Sequence, residues 1–134
     1  MNVYVLDTDI SIYWLNGKSE IRNRVEQIGT DKLKITMITL AELRYGAYNS
    51  QKKEENLNNI DKFLKKTGVL SLDKNAADRF GKIKSDLRRK GQLIGDLDIL
   101  IASITLEHNG ILVTNNTEHF KRIADLSYEN WLMG

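Results

Sequence analysis

The chain opens with the stretch Val3-Tyr4-Val5-Leu6-Asp7-Thr8-Asp9, in which a short apolar run ends at two carboxylates. A run without polar alternation favours a strand that is buried on both faces of a sheet. Strands of that kind belong to parallel sheets that are covered by helices. The opening therefore predicts an α/β fold with acidic groups at the carboxyl end of its first strand, 3–6.

The rest of the chain continues this alternation of short strands and longer helices. Further strands are predicted at 34–36, 69–72, 111–114 and, as an edge strand, 126–128. Helices are predicted at 10–15, 20–28, 39–48, 52–66, 74–90, 97–108 and 118–124. The pattern therefore predicts a parallel sheet with helices on both faces.

The composition is that of one globular domain. The chain has 134 residues, of which 41% are hydrophobic and 28% are charged, and it shows no repeat or linker, so 1–134 is predicted to be a single domain. It has no cysteine, which excludes disulfides, Cys-ligated zinc and thiol catalysis. No stretch approaches the roughly 20 apolar residues of a membrane span and the start lacks a basic signal region, so we expect a cytoplasmic protein without membrane contact.

Acidic and amide side chains lie at or near the predicted carboxyl ends of several strands. They are Asp7, Asp9, Glu42, Asp73, Asp96, Asp98, Asn115, Asn116 and Glu118. Because ligands of open α/β sheets bind beyond these strand ends, most of the acids are expected at one rim. Clustered carboxylates repel one another unless a cation neutralises them, and oxygen ligands suit Mg²⁺ or Mn²⁺. Since such an ion activates water and stabilises phosphoryl charge, the pattern suggests metal-assisted hydrolysis of a phosphate ester.

Some of these acids also have a local structural explanation. Thr39 and Glu42 have capping-box spacing, which would place Glu42 in the first turn of its helix. Thr8 or Asp9 is expected to cap the first helix. Asp7 resists this explanation, because an unpaired carboxylate at the end of a buried strand is costly.

Later in the chain, Asp73 is predicted to cap helix 74–90. Asp96 and Asp98 are both plausible caps for helix 97–108, and only one of them can serve. His108 and His119 are predicted to be structural or surface residues, and the tryptophans to be core or interface residues. None of these local roles excludes a functional role for Asp98.

The predicted helix 74–90 carries a basic strip, although the net charge of the chain is only +2. Six basic residues lie between positions 79 and 90, against the single acid Asp86. Such a strip beside an acidic site can hold a nucleic-acid backbone. The candidate contacts are Lys82, Arg88, Arg89 and Lys90; the alternative is a solvated helix face.

Four motifs follow one another over essentially the whole chain: Val5–Asp9, Ile38–Gly46, Ile94–Ala102 and Val113–Phe120. Together they resemble PIN-domain ribonucleases, and in particular the VapC toxins of toxin–antitoxin pairs. The resemblance implies a three-layer α/β/α domain with a short central parallel sheet. It also implies a Mg²⁺- or Mn²⁺-dependent endoribonuclease that cuts structured RNA, with the initiator tRNA anticodon loop favoured. The implied partners are a VapB-type antitoxin and a second copy in a homodimer.

The residues that match the family's catalytic site are Asp7, Glu42, Asp98, Asp96 and Asn116. Asp7, Glu42 and Asp98 match the core acidic triad and are expected to bind the metal. Asp96 matches an additional acid, also expected at the metal. Asn116 stands where many members have a fourth acid, and Glu118 is the alternative replacement for that acid.

Two other hypotheses stay open at this point. Asp7 and Asp9 also resemble the first motif of haloacid-dehalogenase-like phosphohydrolases, in which Asp7 would be the nucleophile. That motif fits incompletely, because Ser11 stands where threonine or valine is preferred and Glu42 is left without a role. A non-cleaving PIN domain, or a receiver-like module with Asp73 as acceptor, would bind RNA or protein without hydrolysis.

Overall fold

The computed structural model describes residues 2–132 and has a parallel sheet at its centre. Its strands are β1 (Tyr4–Leu6), β2 (Leu33–Thr36), β3 (Gly68–Leu70), β4 (Ile111–Val113) and β5 (Ser127–Glu129). Its helices are α1 (Thr8–Leu15), α2 (Ser19–Ile28), α3 (Met37–Tyr48), α4 (Lys53–Leu64), α5 (Lys74–Arg89), α6 (Asp96–Glu107) and α7 (Thr117–Phe120), with a 3-10 turn at Thr30–Lys32. No helix within 2–132 is long and apolar enough to cross a membrane.

The strand order is β3-β2-β1-β4-β5, and every neighbouring pair is parallel. From β1 the chain adds β2 and β3 on one side, and then β4 and β5 on the other side. Tyr4 is therefore paired with Leu33 of β2 on one side and with Ile111 of β4 on the other. The order reverses between β1 and β4, which makes their carboxyl ends the expected place for a site.

Two hydrophobic clusters pack against opposite faces of the sheet. Because side chains alternate along a strand, Leu6 lies in the cluster with Phe63 and Trp131, whereas Val5 lies in the cluster with Phe120. All five of these side chains are at least 95% buried. The arrangement confirms the predicted three-layer α/β/α fold. Trp14 packs edge-on to Phe63 with ring centroids 4.9 Å apart, so both tryptophans contribute to the core as predicted.

The predicted strands and helices are all present, and the main differences lie at helix starts. Asp7, rather than Thr8 or Asp9, is the N-cap of α1, because β1 ends at Leu6 and the helix follows at once. Thr36 caps α3, with its hydroxyl accepting from the Thr39 amide. The predicted capping box of Thr39 and Glu42 is therefore wrong.

The later helices also differ from the predictions in part. Gly95 is the N-cap of α6, so Asp96 and Asp98 lie in its first turn and neither caps it. Asp73 caps α5 as predicted, since its carboxylate accepts from the Ala76 amide at 2.8 Å. The predicted helix 118–124 is shortened to the single turn of α7.

Replacing Leu87 with alanine is expected to lower the free energy of unfolding by about 2–5 kcal/mol, because its side chain is 1% exposed between α5 and the sheet layer. Urea denaturation measures the change. Leu93→Ala is the matched control, because Leu93 is 46% exposed and its truncation should change stability by less than about 0.5 kcal/mol. Equal losses in the two variants would contradict this account of the core.

Candidate active site

Asp7 ends the central strand with a carboxylate that is almost completely buried. Its Oδ1 accepts from the Thr8 amide at 2.9 Å, and its Oδ2 accepts from the Thr114 hydroxyl at 2.7 Å. Burial, and after it the charge of Asp9, raises the pKa of Asp7 to about 7, while the bond from Thr114 opposes that rise. Asp98 adds a smaller repulsion. The site thus gains free energy when positive charge, either a proton or a cation, reaches Asp7.

Asp9 joins α1 to the loop that follows β4. Its Oδ1 accepts from the Ile10 amide at 2.7 Å, and its Oδ2 accepts from the Asn115 amide at 3.1 Å. Burial raises the pKa of Asp9, and the charge of Asp98 raises it further. The sequence predicts Asp9 as a candidate helix cap. Its position two residues after Asp7 is the sequence feature that indicates a role at this edge of the sheet.

Glu42 lies in the second turn of α3 and reaches the site through Thr8. The Thr8 hydroxyl is 2.7 Å from Glu42 Oε1 and 3.1 Å from the Thr39 hydroxyl. Because a hydroxyl has one proton, Thr8 donates to the Glu42 carboxylate and accepts from Thr39. Thr8 therefore connects two predicted site acids, with its amide on Asp7 and its hydroxyl on Glu42.

Asp98, Asn116 and His119 form a second group at the same edge. The Nδ1 atom of His119 is 3.1 Å from Asp98 Oδ2 and 2.8 Å from Asn116 Nδ2. The backbone amide of Asn116 donates to the Thr114 hydroxyl at 3.0 Å, and that hydroxyl donates to Asp7. The structure thus brings Asp7, Glu42, Asp98 and Asn116 to one rim, and it adds His119, which the sequence predicted to be a structural or surface residue.

Two predicted or alternative site acids point elsewhere. Asp96 pairs with Lys84 of α5 at 2.8 Å, and its side chain is 59% exposed. Glu118 pairs with Lys121 at 2.8 Å, and that hydrogen bond lowers the pKa of Glu118. Of the two alternatives for the fourth position, Asn116 is therefore the one that contacts the acidic group.

The donor set can accept a divalent cation that keeps part of its water shell. Within residues 2–132, no three histidine, aspartate or glutamate side chains converge tightly enough to enclose an ion. Mg²⁺ is commonly held by only one or two carboxylates and keeps several waters, so looser acids such as Asp7 and Asp98 suffice. Burial, together with the charges of Asp9 and Asp98, raises the pKa of Asp7, so added positive charge at this edge is favourable.

Three of the six residues of the basic strip are paired with acids of α5. Lys82 lies 3.1 Å from Asp78, and both Lys90 and Arg89 contact Asp86, at 3.1 and 3.3 Å. Exposed pairs of this kind contribute about 0–1 kcal/mol, so a phosphate can displace them. Lys84 of the same helix pairs with Asp96 at the start of α6, next to the acidic rim.

An apolar cleft lies between α1, α3 and α4 next to Glu42. Its lining includes Ile12, Leu43 and Ile60 together with the Glu42 side chain. Ile12 is 44% exposed, so the cleft presents apolar surface to solvent. This surface borders the acidic rim through Glu42.

Comparison with known proteins gives one consistent family. The PIN domain family model matches residues 4–126. Ribonuclease VapC2 of Rickettsia felis is 38% identical over 131 residues, which cover 96% of this chain and 98% of that protein. The tRNA(fMet)-specific endonuclease VapC of Shigella flexneri is 38% identical over 129 residues, covering 96% and 97%. The crystal structure of VapBC2 from Rickettsia felis bound to a promoter DNA fragment contains a chain with a TM-score of 0.91 and 37% identity, covering 96% of this chain and 98% of that one.

Replacing Asp7 with asparagine is expected to stabilise the metal-free protein at neutral pH. The folded pKa of about 7 lies above the ordinary value of 3.8, so the buried carboxylate costs nothing below about pH 4 and progressively more as pH rises towards 7. At 1.36 kcal/mol per pKa unit, the shift from 3.8 to about 7 sets an upper limit of about 4 kcal/mol for the gain at pH 7.5. Urea denaturation in EDTA at pH 4.0 and 7.5 measures it.

Asp78→Asn is the control for this comparison, because Asp78 is an exposed acid on α5. It should change stability by no more than about 0.5 kcal/mol at either pH. A gain for Asp7→Asn that is the same at both pH values, or a loss at pH 7.5, would contradict the burial of an energetically costly carboxylate.

Proposed function

The chain belongs to the PIN-domain family, and from that premise we propose that it is a divalent-metal-dependent endoribonuclease toxin of the VapC kind. The observation that carries the proposal is the coupled acidic rim, in which the buried Asp7 is joined to Glu42 through Thr8 and repelled by Asp98. Relatives that match over nearly their full length are named ribonucleases and endonucleases. The substrate bond is the phosphodiester bond of RNA.

Asp7, Glu42 and Asp98 would hold Mg²⁺ or Mn²⁺, directly or through water. The ion, when bound, supplies an acidified water and offsets charge on the phosphoryl oxygens. Asn116 would offer its amide oxygen at the same edge. The ion pair of Asp96 with Lys84 supports an indirect role for Asp96, which would keep α5 beside the metal site rather than ligate the ion itself.

The chain's own residues would orient this site before RNA arrives. Thr114 and the Thr8 amide hold both oxygens of Asp7, so that carboxylate has a fixed direction. The Thr8 hydroxyl holds one oxygen of Glu42, Oε1, at 2.7 Å. Fixed ligands reduce the reorganisation needed in the transition state, which is the main protein contribution to phosphoryl transfer.

We propose structured RNA as the substrate class, with initiator tRNA at its anticodon loop as the favoured target. The support is the name of the Shigella flexneri relative, a tRNA(fMet)-specific endonuclease. The basic residues of α5 would hold the RNA backbone: Lys82, Arg88, Arg89 and Lys90. Cytoplasmic tRNA is consistent with the cytoplasmic location that the sequence predicts.

A VapB-type antitoxin is the proposed protein partner. Similar solved structures are VapBC complexes, from Rickettsia felis and from Salmonella typhimurium. The apolar cleft with Ile12 and Leu43 would accept an apolar segment of that antitoxin, and Glu42 at its border would attract a basic group. Occupation of this cleft would block access to the acidic rim. The homodimer that the resemblance implies stays a prediction.

The phosphohydrolase alternative is less well supported by the geometry of Asp7. That hypothesis leaves Glu42 without a role, whereas here Thr8 joins Glu42 to Asp7. The receiver-like alternative is also disfavoured. Asp73 follows the edge strand β3 and caps α5, whereas the doubly wound order 2-1-3-4-5 places the third strand at the centre. A non-cleaving PIN domain is left as an outcome of the cleavage test.

Replacing Asp98 with asparagine is expected to reduce RNA cleavage at least about 100-fold while the fold is kept, because the metal loses a charged ligand. The assay incubates purified protein with total tRNA in Mg²⁺, Mn²⁺ or EDTA and maps the fragments by sequencing. The wild type should give discrete fragments that require metal, and Asp7→Ala should give none.

Asp125→Asn is the matched control, because Asp125 is exposed and its φ of 67° suits asparagine. It should cut at the wild-type rate. Cleavage by Asp98→Asn at that rate in Mg²⁺ would refute the assignment of the triad. Folded, antitoxin-free wild type that cuts no RNA with any metal would favour the non-cleaving alternative.

Reversing the charge of Arg88 and Arg89 is expected to weaken binding of tRNA and to flatten its salt dependence. Each lost phosphate contact removes about 0.7–0.9 from the slope of log K against log salt, so the double variant should lose about 1.4–1.8. Fluorescence anisotropy over a salt series measures the slope. The double reversal of Lys52 and Lys53 on the α4 side is the charge-matched control, and an equal effect there would assign α5 to ordinary solvated surface.

A further inference from the structure

His119 occupies a position in the acidic rim that no motif assigned to it. Its Nδ1 lies 3.1 Å from Asp98 Oδ2 and 2.8 Å from the side-chain amide of Asn116. The short helix α7 holds it there, because the next residue, Phe120, is completely buried in the core. The side chains of His119 and Asp98 are 41% and 27% exposed, so a hydrated ion can reach both.

One nitrogen cannot form ordinary hydrogen bonds with both neighbours as they stand. Towards the Asp98 carboxylate, Nδ1 must donate a proton, whereas towards the Asn116 NH₂ group it must accept one. Turning the Asn116 amide by 180° exchanges its nitrogen and oxygen, which are assigned rather than observed. When the imidazole proton is on Nε2, the carboxylate oxygen, the amide oxygen and Nδ1 then lie together as three electron-pair donors.

The spacing of this group suits neighbouring ligands of one cation. Adjacent ligands in an octahedral site with bonds of 2.0–2.1 Å lie about 2.9 Å apart. The two distances from His119 Nδ1, 2.8 and 3.1 Å, bracket that value. Within residues 2–132, no three histidine or acidic side chains enclose an ion. The group proposed here differs because its third ligand is the amide oxygen of Asn116.

We propose that His119 is a nitrogen ligand of the divalent ion, beside Asp98 and the Asn116 amide oxygen, and that it makes the site select Mn²⁺ over Mg²⁺. This inference rests on the proposed metal-dependent function and adds a ligand to that site. Mg²⁺ strongly prefers oxygen and holds its waters tightly, whereas transition-metal ions accept imidazole readily. A mixed nitrogen and oxygen set therefore favours Mn²⁺.

The histidine content of the chain makes a direct spectroscopic test decisive. The chain has two histidines, and His108 ends α6 about 15 Å along the helix from Asp98. Electron spin echo envelope modulation (ESEEM) spectroscopy detects nitrogen atoms coupled to bound Mn²⁺. On tag-free protein at pH 7.5 it should show imidazole ¹⁴N coupling in the wild type and in His108→Gln. The coupling should vanish in His119→Gln, and Mn²⁺ affinity should fall about tenfold or more while Mg²⁺ affinity changes less than about threefold.

His119→Glu provides a second variant, with an all-oxygen set that should bind Mg²⁺ better than the wild type and show no ¹⁴N coupling. Circular dichroism checks that the variants fold. Mn²⁺ bound to the wild type without imidazole coupling would overturn the proposed ligand, and RNA cleavage by the same sample would leave the nuclease proposal intact. If the wild type bound no Mn²⁺, the proposed ligand would be overturned; the metal-dependent function would fail as well only if the protein also bound no Mg²⁺.

Discussion

The arrangement of the candidate site depends on one buried carboxylate at the end of the central strand. Asp7 is 5% exposed, and an unpaired charge there would be expensive. The fold offsets this cost with two hydrogen bonds, one from the start of α1 and one from Thr114 after β4. Each of these bonds fixes the direction of a chain segment that carries another polar group of the rim. Asp7 is therefore bonded to the two segments that carry Asp9 and Asn116.

Parallel topology explains why residues distant in sequence meet at this carboxylate. β1 lies between β2 and β4, so the chain after each of these strands emerges at the same edge of the sheet. α3 follows β2 and brings Glu42, and the loop after β4 brings Asn116. Two threonine hydroxyls then join the groups, Thr8 to Glu42 and Thr114 to Asp7. Threonine suits both positions because one hydroxyl can donate to a carboxylate and accept from a neighbour at the same time.

The sequence predicted the layers of the fold well, because apolar runs such as 3–6 and 111–114 have one plausible environment. It also selected Asp7, Glu42, Asp98 and Asn116, which the structure brings to one rim. Helix caps were predicted less well, since a cap depends on where the preceding strand stops, and β2 runs directly into α3 at Thr36. Local sequence patterns do not predict two contacts between different helices. These are the pair of Asp96 with Lys84 and the contact of His119 with Asp98.

The position of β1 between β2, which is made early, and β4, which is made late, has a consequence for synthesis on the ribosome. β1 is made first, but its partner β4 begins only at residue 111, and pairing across so long a separation is slow. Asp7 obtains its bond from Thr114, and Asp98 its neighbour His119, only after that segment has left the exit tunnel. The acidic rim can therefore form only late in synthesis, after most of the chain has been made.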